Sequence, residues 1–177
     1  MSLVPNTNIR IDNFAYMKND LTKYTFLLTH CHEDHIKGLH SSWNYGNIYC
    51  SQISALLISE RFPNLKLLVQ PLELDEPHWI YTDEQKKEGV TLTLIDSNHC
   101  PGSVMFLIQG KKSGTVLHTG DFRVSEKILS HPALFPLHND KLEKTVLYRE
   151  FDHFGDQKKQ KPLLPGKKFI EQSHKSI

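Results

Sequence analysis

Six positions, His30, His32, Asp34, His35, His99 and Asp121, carry side chains of the types that ligate divalent metal ions. Four fall in one run, His30-Cys31-His32-Glu33-Asp34-His35, where imidazoles two residues apart reach the same side of an extended loop and can chelate one ion. Asp34 and His35 are adjacent and must diverge, so they more naturally face a second ion beside the first. His99 can complete the shell of the first ion. The carboxylate of Asp121, with two oxygens, is the natural bridge between ions ~3.5 to 4 Å apart. Asp34 and Asp121 are also the candidate catalytic carboxylates of the set. Imidazole and carboxylate without thiolate suit zinc first, and manganese, iron or nickel as well.

A lone histidine is more commonly a hydrogen-bonded structural residue, and only the density of the HxHxDH run reverses that expectation. His40, His78, His118, His131, His138, His153 and His174 lack such neighbours and are expected to be structural or surface residues. Cys31 and Cys100 lie beside ligands but out of step with the pattern, and are expected to pack behind the loops.

Three strand-like runs must deliver these groups. Tyr24 to Leu28 is apolar and β-prone and leads into the histidine run, after which Ile36-Lys37-Gly38-Leu39 suits the start of a helix. Val90 to Leu94 alternates as a half-buried strand does, with Ile95 extending it to the turn-forming Asp96-Ser97-Asn98 before His99. Val104 to Ile108 and Thr115 to Leu117 are joined through Gln109 to Gly114 as a hairpin, and the second run ends at His118-Thr119-Gly120-Asp121. Candidate ligands thus recur just past strand ends, where a rigid sheet holds loops at one rim. Gly102 and Gly120 are expected to permit the tight turns that present them.

Elsewhere, Ile48-Tyr49-Cys50 reads as a strand, followed by Ser51 as N-cap of a helix with Ile53, Leu56 and Leu57 on one face, closed before Pro63. Leu65 to Val69 and Leu142 to Tyr148 read as further strands. From Arg149 onward seven Lys or Arg stand against four Asp or Glu with few apolar residues, so 149–177 reads as a basic, solvated tail without fixed structure and 1–148 as the folded unit.

The 177 residues suffice for one core, and a net charge of +1 gives no global attraction to a polyanion. Any nucleic-acid contact must come from a local patch or from metal. No apolar run approaches the ~18 residues needed to cross a bilayer, and the first ten residues lack the apolar core of a signal peptide, so the chain reads as intracellular. Three cysteines without a CxxC pair suggest neither a disulfide framework nor a thiolate zinc site.

The segments His30 to His35, Asn98-His99-Cys100-Pro101-Gly102-Ser103-Val104-Met105-Phe106-Leu107 and Thr119-Gly120-Asp121-Phe122-Arg123 together resemble the Apollo and Artemis group of metallo-β-lactamase-fold DNA nucleases. The resemblance covers about Val4 to Tyr148, with Val4-Pro5-Asn6-Thr7 and Pro132-Ala133-Leu134 nearer to Apollo. It implies an α/β fold, the N-terminal portion of a metallo-β-lactamase αββα sandwich, without the inserted β-CASP domain and the C-terminal return of the fold. It also implies two zinc ions, the first on His30, His32 and His99, the second facing Asp34 and His35, with Asp121 bridging. The implied reaction is 5′-to-3′ exonucleolytic hydrolysis of DNA by a metal-bound hydroxide that Asp34 helps to orient. DNA, as single strands or 5′ ends, would be the substrate. The implied setting is the nucleus, in interstrand crosslink repair and telomere maintenance, with telomere or repair proteins as partners and no membrane.

After Tyr148 the family pattern gives way to Arg149-Glu150-Phe151-Asp152, so a shortened splice form or incomplete gene model, inactive alone and marginally stable, is the expectation here. Two other classes share some of these features: a small-molecule metallo-hydrolase, against which GSVMF and TGDFR argue, and a non-catalytic product acting through partner binding.

Overall fold

The computed structural model describes residues 2–15, 23–82, 87–134, 145–149 and 169–171. In chain order the elements are β1 (Ser2–Leu3), β2 (Ile9–Ile11), β3 (Thr25–Leu27), β4 (Ile48–Ser51), α1 (Gln52–Arg61), a 3₁₀ turn (Pro63–Leu65), β5 (Val69–Leu72), β6 (Pro77–Tyr81), β7 (Gly89–Asp96), β8 (Val104–Gly110), β9 (Gly114–His118), α2 (Glu126–Leu129), a second 3₁₀ turn (Pro132–Leu134), β10 (Thr145–Arg149) and β11 (Phe169–Glu171). Strands β1 to β5 form one sheet in sequence order, parallel except for the β1–β2 pair. The second sheet runs β11-β10-β9-β8-β7-β6, antiparallel from β6 to β9 and parallel from β9 to β11.

Three apolar layers explain why so many strands read as continuous apolar runs: each sheet is covered on both faces. Ile9, Ile11 and Leu27 from the first sheet meet Leu92, Leu94, Val104, Phe106, Ile108 and Val116 from the second in the central layer. The side chains that alternate with these point outward. Phe26, Leu28, Ile48 and Cys50 pack beneath Ala55 and Ile58 of α1, and Ile95, Met105, Leu107 and Leu117 pack beneath Ile128 and Leu134. The order helix, sheet, sheet, helix is the expected αββα sandwich.

Several expectations need correction. Ile36 to Leu39 is a turn closed by the Ile36 N–H on the His32 carbonyl and the Leu39 N–H on the Ile36 carbonyl, not a helix start. Gly38 stops propagation: it sits at φ +97°, and a Cβ there would lie 2.6 Å from the Phe14 carbonyl oxygen. We therefore expect Gly38→Ala to lower stability by about 2 kcal/mol, from backbone strain and clash together, read as a lower urea midpoint at unchanged slope.

The helix after Ser51 forms as expected, with the Ser51 Oγ accepting from the Ser54 N–H at 3.2 Å, yet its buried residues are Ser54, Ala55 and Ile58. Ile53, Leu56 and Leu57 are its exposed side, because small Ser54 and Ala55 let the helix seat closely on β4. The strand expected at Leu65 to Val69 begins only at Val69, since Pro63 starts a 3₁₀ turn that the Leu68 N–H extends onto the Leu65 carbonyl. Of the strand expected from Leu142, residues 142–144 lie outside the described residues. Of the segment 149–177, only Arg149 and Phe169–Glu171 are described, the latter as β11 paired parallel with β10. No helix among the described residues is long and apolar enough to cross a membrane.

Candidate metal centre

The C-terminal ends of β3, β7 and β9 open onto one rim, and the Val104 N–H donates to the Thr29 carbonyl at 3.0 Å, tying the two sheets together there. On this rim the six sequence-derived candidates converge. His30 Nε2 lies 3.0 Å from His32 Nδ1, and His99 Nε2 lies 3.3 Å from the same atom. Asp121 Oδ2 stands 3.8 Å from His30 Nε2, 3.7 Å from His35 Nε2 and 3.5 Å from His99 Nε2. Asp34 reaches the cluster from outside, with its Oδ2 3.8 Å from His35 Nε2 and most of its side chain exposed.

Two sets of ligand atoms gather within 4.8 Å: His30, His32, His99 and Cys100, and His30, His35 and Asp121. His30 belongs to both. Cys31 packs as expected, its thiol donating to the Ser54 carbonyl at 3.6 Å, whereas Cys100 borders the site rather than lying behind it.

The loops are held by their own residues. Gly102, at φ +82°, brings its carbonyl to the Ser51 hydroxyl (2.6 Å) and the Ser54 hydroxyl (3.1 Å), which anchors the loop carrying His99 on the start of α1. The Ser103 hydroxyl accepts from the His99 and Cys100 N–H groups at 3.3 and 3.0 Å. Gly120, at φ +50°, packs against Thr29 so closely that a Cβ would lie 2.9 Å from the Thr29 methyl. Both glycines thus make the turns expected of them. His118, expected to be structural, is buried and accepts from the Gly120 N–H at 3.2 Å. His131 pairs with Asp75 at 3.0 Å, and His40 and His78 make exposed hydrogen bonds to Ser42 and the Glu73 carbonyl. His138, His153 and His174 lie outside the described residues.

Sequence reasoning missed Asp12. It is buried, and it accepts from the Thr29 N–H (2.8 Å), the Thr29 hydroxyl (2.6 Å) and His35 Nδ1 (2.9 Å). Burial alone would raise its pKa, but the hydrogen bond and charge of His35, with further help from His118 and Thr29, hold it below the ordinary carboxylate value. An ionised carboxylate only accepts, so the Thr29 hydroxyl spends its single proton on Asp12. His30 Nδ1, 3.0 Å from that hydroxyl, must then donate to it. His35 Nδ1 likewise donates to Asp12. With Nδ1–H committed on both rings, Nε2 is the nitrogen left to ligate, and on both rings it faces the cluster. One signal was available: Asp12 directly follows β2, an acid past a strand end like Asp121.

The donor set fits a cation. Burial, reinforced by the neighbouring His35, pushes the His30 pKa down to about 3, keeping it neutral and able to ligate at pH 7. Nitrogens 3.0 and 3.3 Å apart approach the edge, about 3.3 Å, of a tetrahedron whose centre lies about 2.0–2.1 Å from each corner, the zinc–imidazole distance. The thiols differ in reach: burial raises the Cys50 pKa furthest, brings Cys31 up to about 11, and raises that of the half-buried Cys100. We expect iodoacetamide at pH 8 to alkylate Cys100 first and to leave Cys50 intact until the chain unfolds, as followed by peptide mass spectrometry.

No protein-family model matches the chain. Curated proteins do. The 5′ exonuclease Apollo of Rattus norvegicus is 45% identical over 132 residues, 75% of this chain and 24% of that protein. The DNA cross-link repair protein pso2/snm1 of Schizosaccharomyces pombe is 36% identical over 132 residues, 73% of this chain and 22% of that one, and Protein artemis of Gallus gallus is 38% identical over 131 residues, 67% and 18%. Over two thirds to three quarters of its length the chain is a homologue of Apollo, Artemis and SNM1. This homologue spans about a quarter of the length of the curated relatives it matches. Among solved structures, the metallo hydrolase Igni18 of Ignicoccus hospitalis superposes with a TM-score of 0.50 at 15% identity, covering 79% of this chain and 61% of that one, a likeness of fold. The two-sheet sandwich is thus the fold it shares with that metallo hydrolase.

Proposed function

We propose that this homologue supplies the metal-binding face of a 5′ exonuclease that hydrolyses phosphodiester bonds in DNA, acting in the nucleus in DNA repair or telomere maintenance. The observation that carries the reading is the convergence of His30, His32, His35, His99 and Asp121 at one rim, with Asp12 fixing the tautomers of two of them. The names of its relatives, 5′ exonuclease Apollo and DNA cross-link repair protein pso2/snm1, support DNA as the polymer acted on.

His30, His32 and His99 would hold one ion, Asp34 and His35 would face a second, and Asp121 would stand between, with zinc the first candidate. Bound there, the metal supplies Lewis-acid activation of water and neutralises charge on the phosphodiester. The chain's own residues do the rest. Asp12 and Thr29 keep the imidazole lone pairs directed at the site. Asp34, the most exposed of these acids, is placed at the mouth, where its oxygen can accept a hydrogen bond from the attacking water and orient it toward phosphorus.

The test is release of nucleotides from 5′-phosphorylated, end-labelled single-stranded DNA in the presence of zinc, with Asp34→Ala as control. Release that falls at least about 100-fold in the variant supports the proposal. Release insensitive to the substitution contradicts it.

A further inference from the structure

The loop that presents His99 also presents a thiol. The ligand atoms of His30, His32, His99 and Cys100 lie within 4.8 Å of one another. The other two thiols turn elsewhere: Cys31 donates to the Ser54 carbonyl at 3.6 Å, and Cys50 is buried beneath α1.

The backbone that carries Cys100 is held in place. Its N–H donates to the Ser103 hydroxyl at 3.0 Å, and its carbonyl accepts from the Ser103 hydroxyl at 2.7 Å and from the Ser103 N–H at 3.0 Å. The Gly102 carbonyl, gripped by the hydroxyls of Ser51 and Ser54, pins the same loop to α1. With the main chain set, one rotation about the Cα–Cβ bond decides where the half-buried thiol points. A tetrahedral zinc holds sulfur at about 2.3 Å and imidazole nitrogen at about 2.0–2.1 Å, which places the two about 3.5 Å apart. The thiol therefore has to close on the imidazoles by at most about 1.3 Å, within reach of that rotation.

Charge favours the same arrangement. Imidazoles ligate as neutral groups, so a divalent ion held by three of them alone keeps its full charge. Asp121 gathers with His30 and His35 in the other group of ligand atoms, which leaves Cys100 as the member of the first group able to supply an anion. We propose that Cys100 is the fourth ligand of the ion held by His30, His32 and His99, its thiol proton passing to solvent as the metal–sulfur bond forms. The inference rests on the metal-binding reading of this rim and narrows it. Three nitrogens and one sulfur make a closed shell of the kind that holds structural zinc, and they select a thiophilic cation, zinc or cadmium, over manganese. Open coordination is left on the side of Asp34, His35 and Asp121.

The test uses the full chain, stripped of metal and titrated with cobalt(II) under absorbance. We expect visible d–d bands together with a near-ultraviolet thiolate-to-cobalt charge-transfer band. Cys31→Ala should keep that band and Cys100→Ala should remove it, in variants whose fold is confirmed by circular dichroism. A second measurement needs no variant: zinc should slow alkylation of Cys100 by iodoacetamide at least about tenfold relative to the metal-free chain, as followed by peptide mass spectrometry. Visible bands without the charge-transfer band would overturn the proposal and leave a centre of imidazoles and carboxylates. So would a charge-transfer band that survives Cys100→Ala, or bound zinc that leaves the alkylation rate of Cys100 unchanged. Failure of DNA cleavage beside an intact charge-transfer band would sink the nuclease reading and leave this ligand in place.

Discussion

Replacing His30 with Ala is expected to lower zinc affinity by at least about 100-fold, more than loss of any other single imidazole in the cluster. His30 is the one residue common to both groups of ligand atoms, with His32 and His99 on one side and His35 and Asp121 on the other. Losing an outer-sphere partner typically costs 10–100-fold in metal affinity, and a shared first ligand should cost more. Competition titration with a zinc-sensitive dye gives the constant, and circular dichroism shows whether the fold survives. An affinity unchanged within threefold in a folded variant would remove His30 from the site.

Asp12 should have the second-largest effect, and its two variants should separate folding from ligation. Asp12→Ala strands three buried donors, the Thr29 N–H, the Thr29 hydroxyl and His35 Nδ1–H, and we expect a loss of about 3 kcal/mol or more in stability by chemical denaturation. Asp12→Asn keeps the shape and one acceptor oxygen, but its amide now presents N–H toward groups that need an acceptor. His35 is then driven to the Nε2–H tautomer, and its lone pair turns away from Asp34 and Asp121. The Asn variant should therefore stay folded yet bind zinc about 10–100-fold more weakly. Equal stability of wild type and the Ala variant would mean that the hydrogen bonds of Asp12 are replaced by others.

The ligand set was legible because its chemistry is local: His30, His32, Asp34 and His35 fall within six residues, and His99 and Asp121 each follow an apolar run that can only be a strand. The αββα layering came from the family resemblance, while runs such as Val104 to Ile108 marked strands alone. What escaped was decided by tertiary contact. Ile53, Leu56 and Leu57 looked like the buried face of α1, but the seat of the helix is set by the Ser51 cap and by Gly102 from a loop some fifty residues away. Ile36 to Leu39 looked helical until Gly38 met the backbone of Phe14. Asp12 acts on residues 17 and 23 positions later, a distance at which a single carboxylate carries no pattern. Cys100 looked out of step with the motif, yet the turn at Gly102 carries its thiol to the edge of the cluster.

Loops from both sheets bring the proposed metal ligands to one rim of this chain. The most direct measurement is zinc content by mass spectrometric elemental analysis after loading and desalting, on the wild-type chain. Between about one and two ions per chain are expected, since two groups of ligand atoms share His30. A folded wild-type chain retaining less than about 0.1 ion would contradict the assignment of a metal centre to this rim.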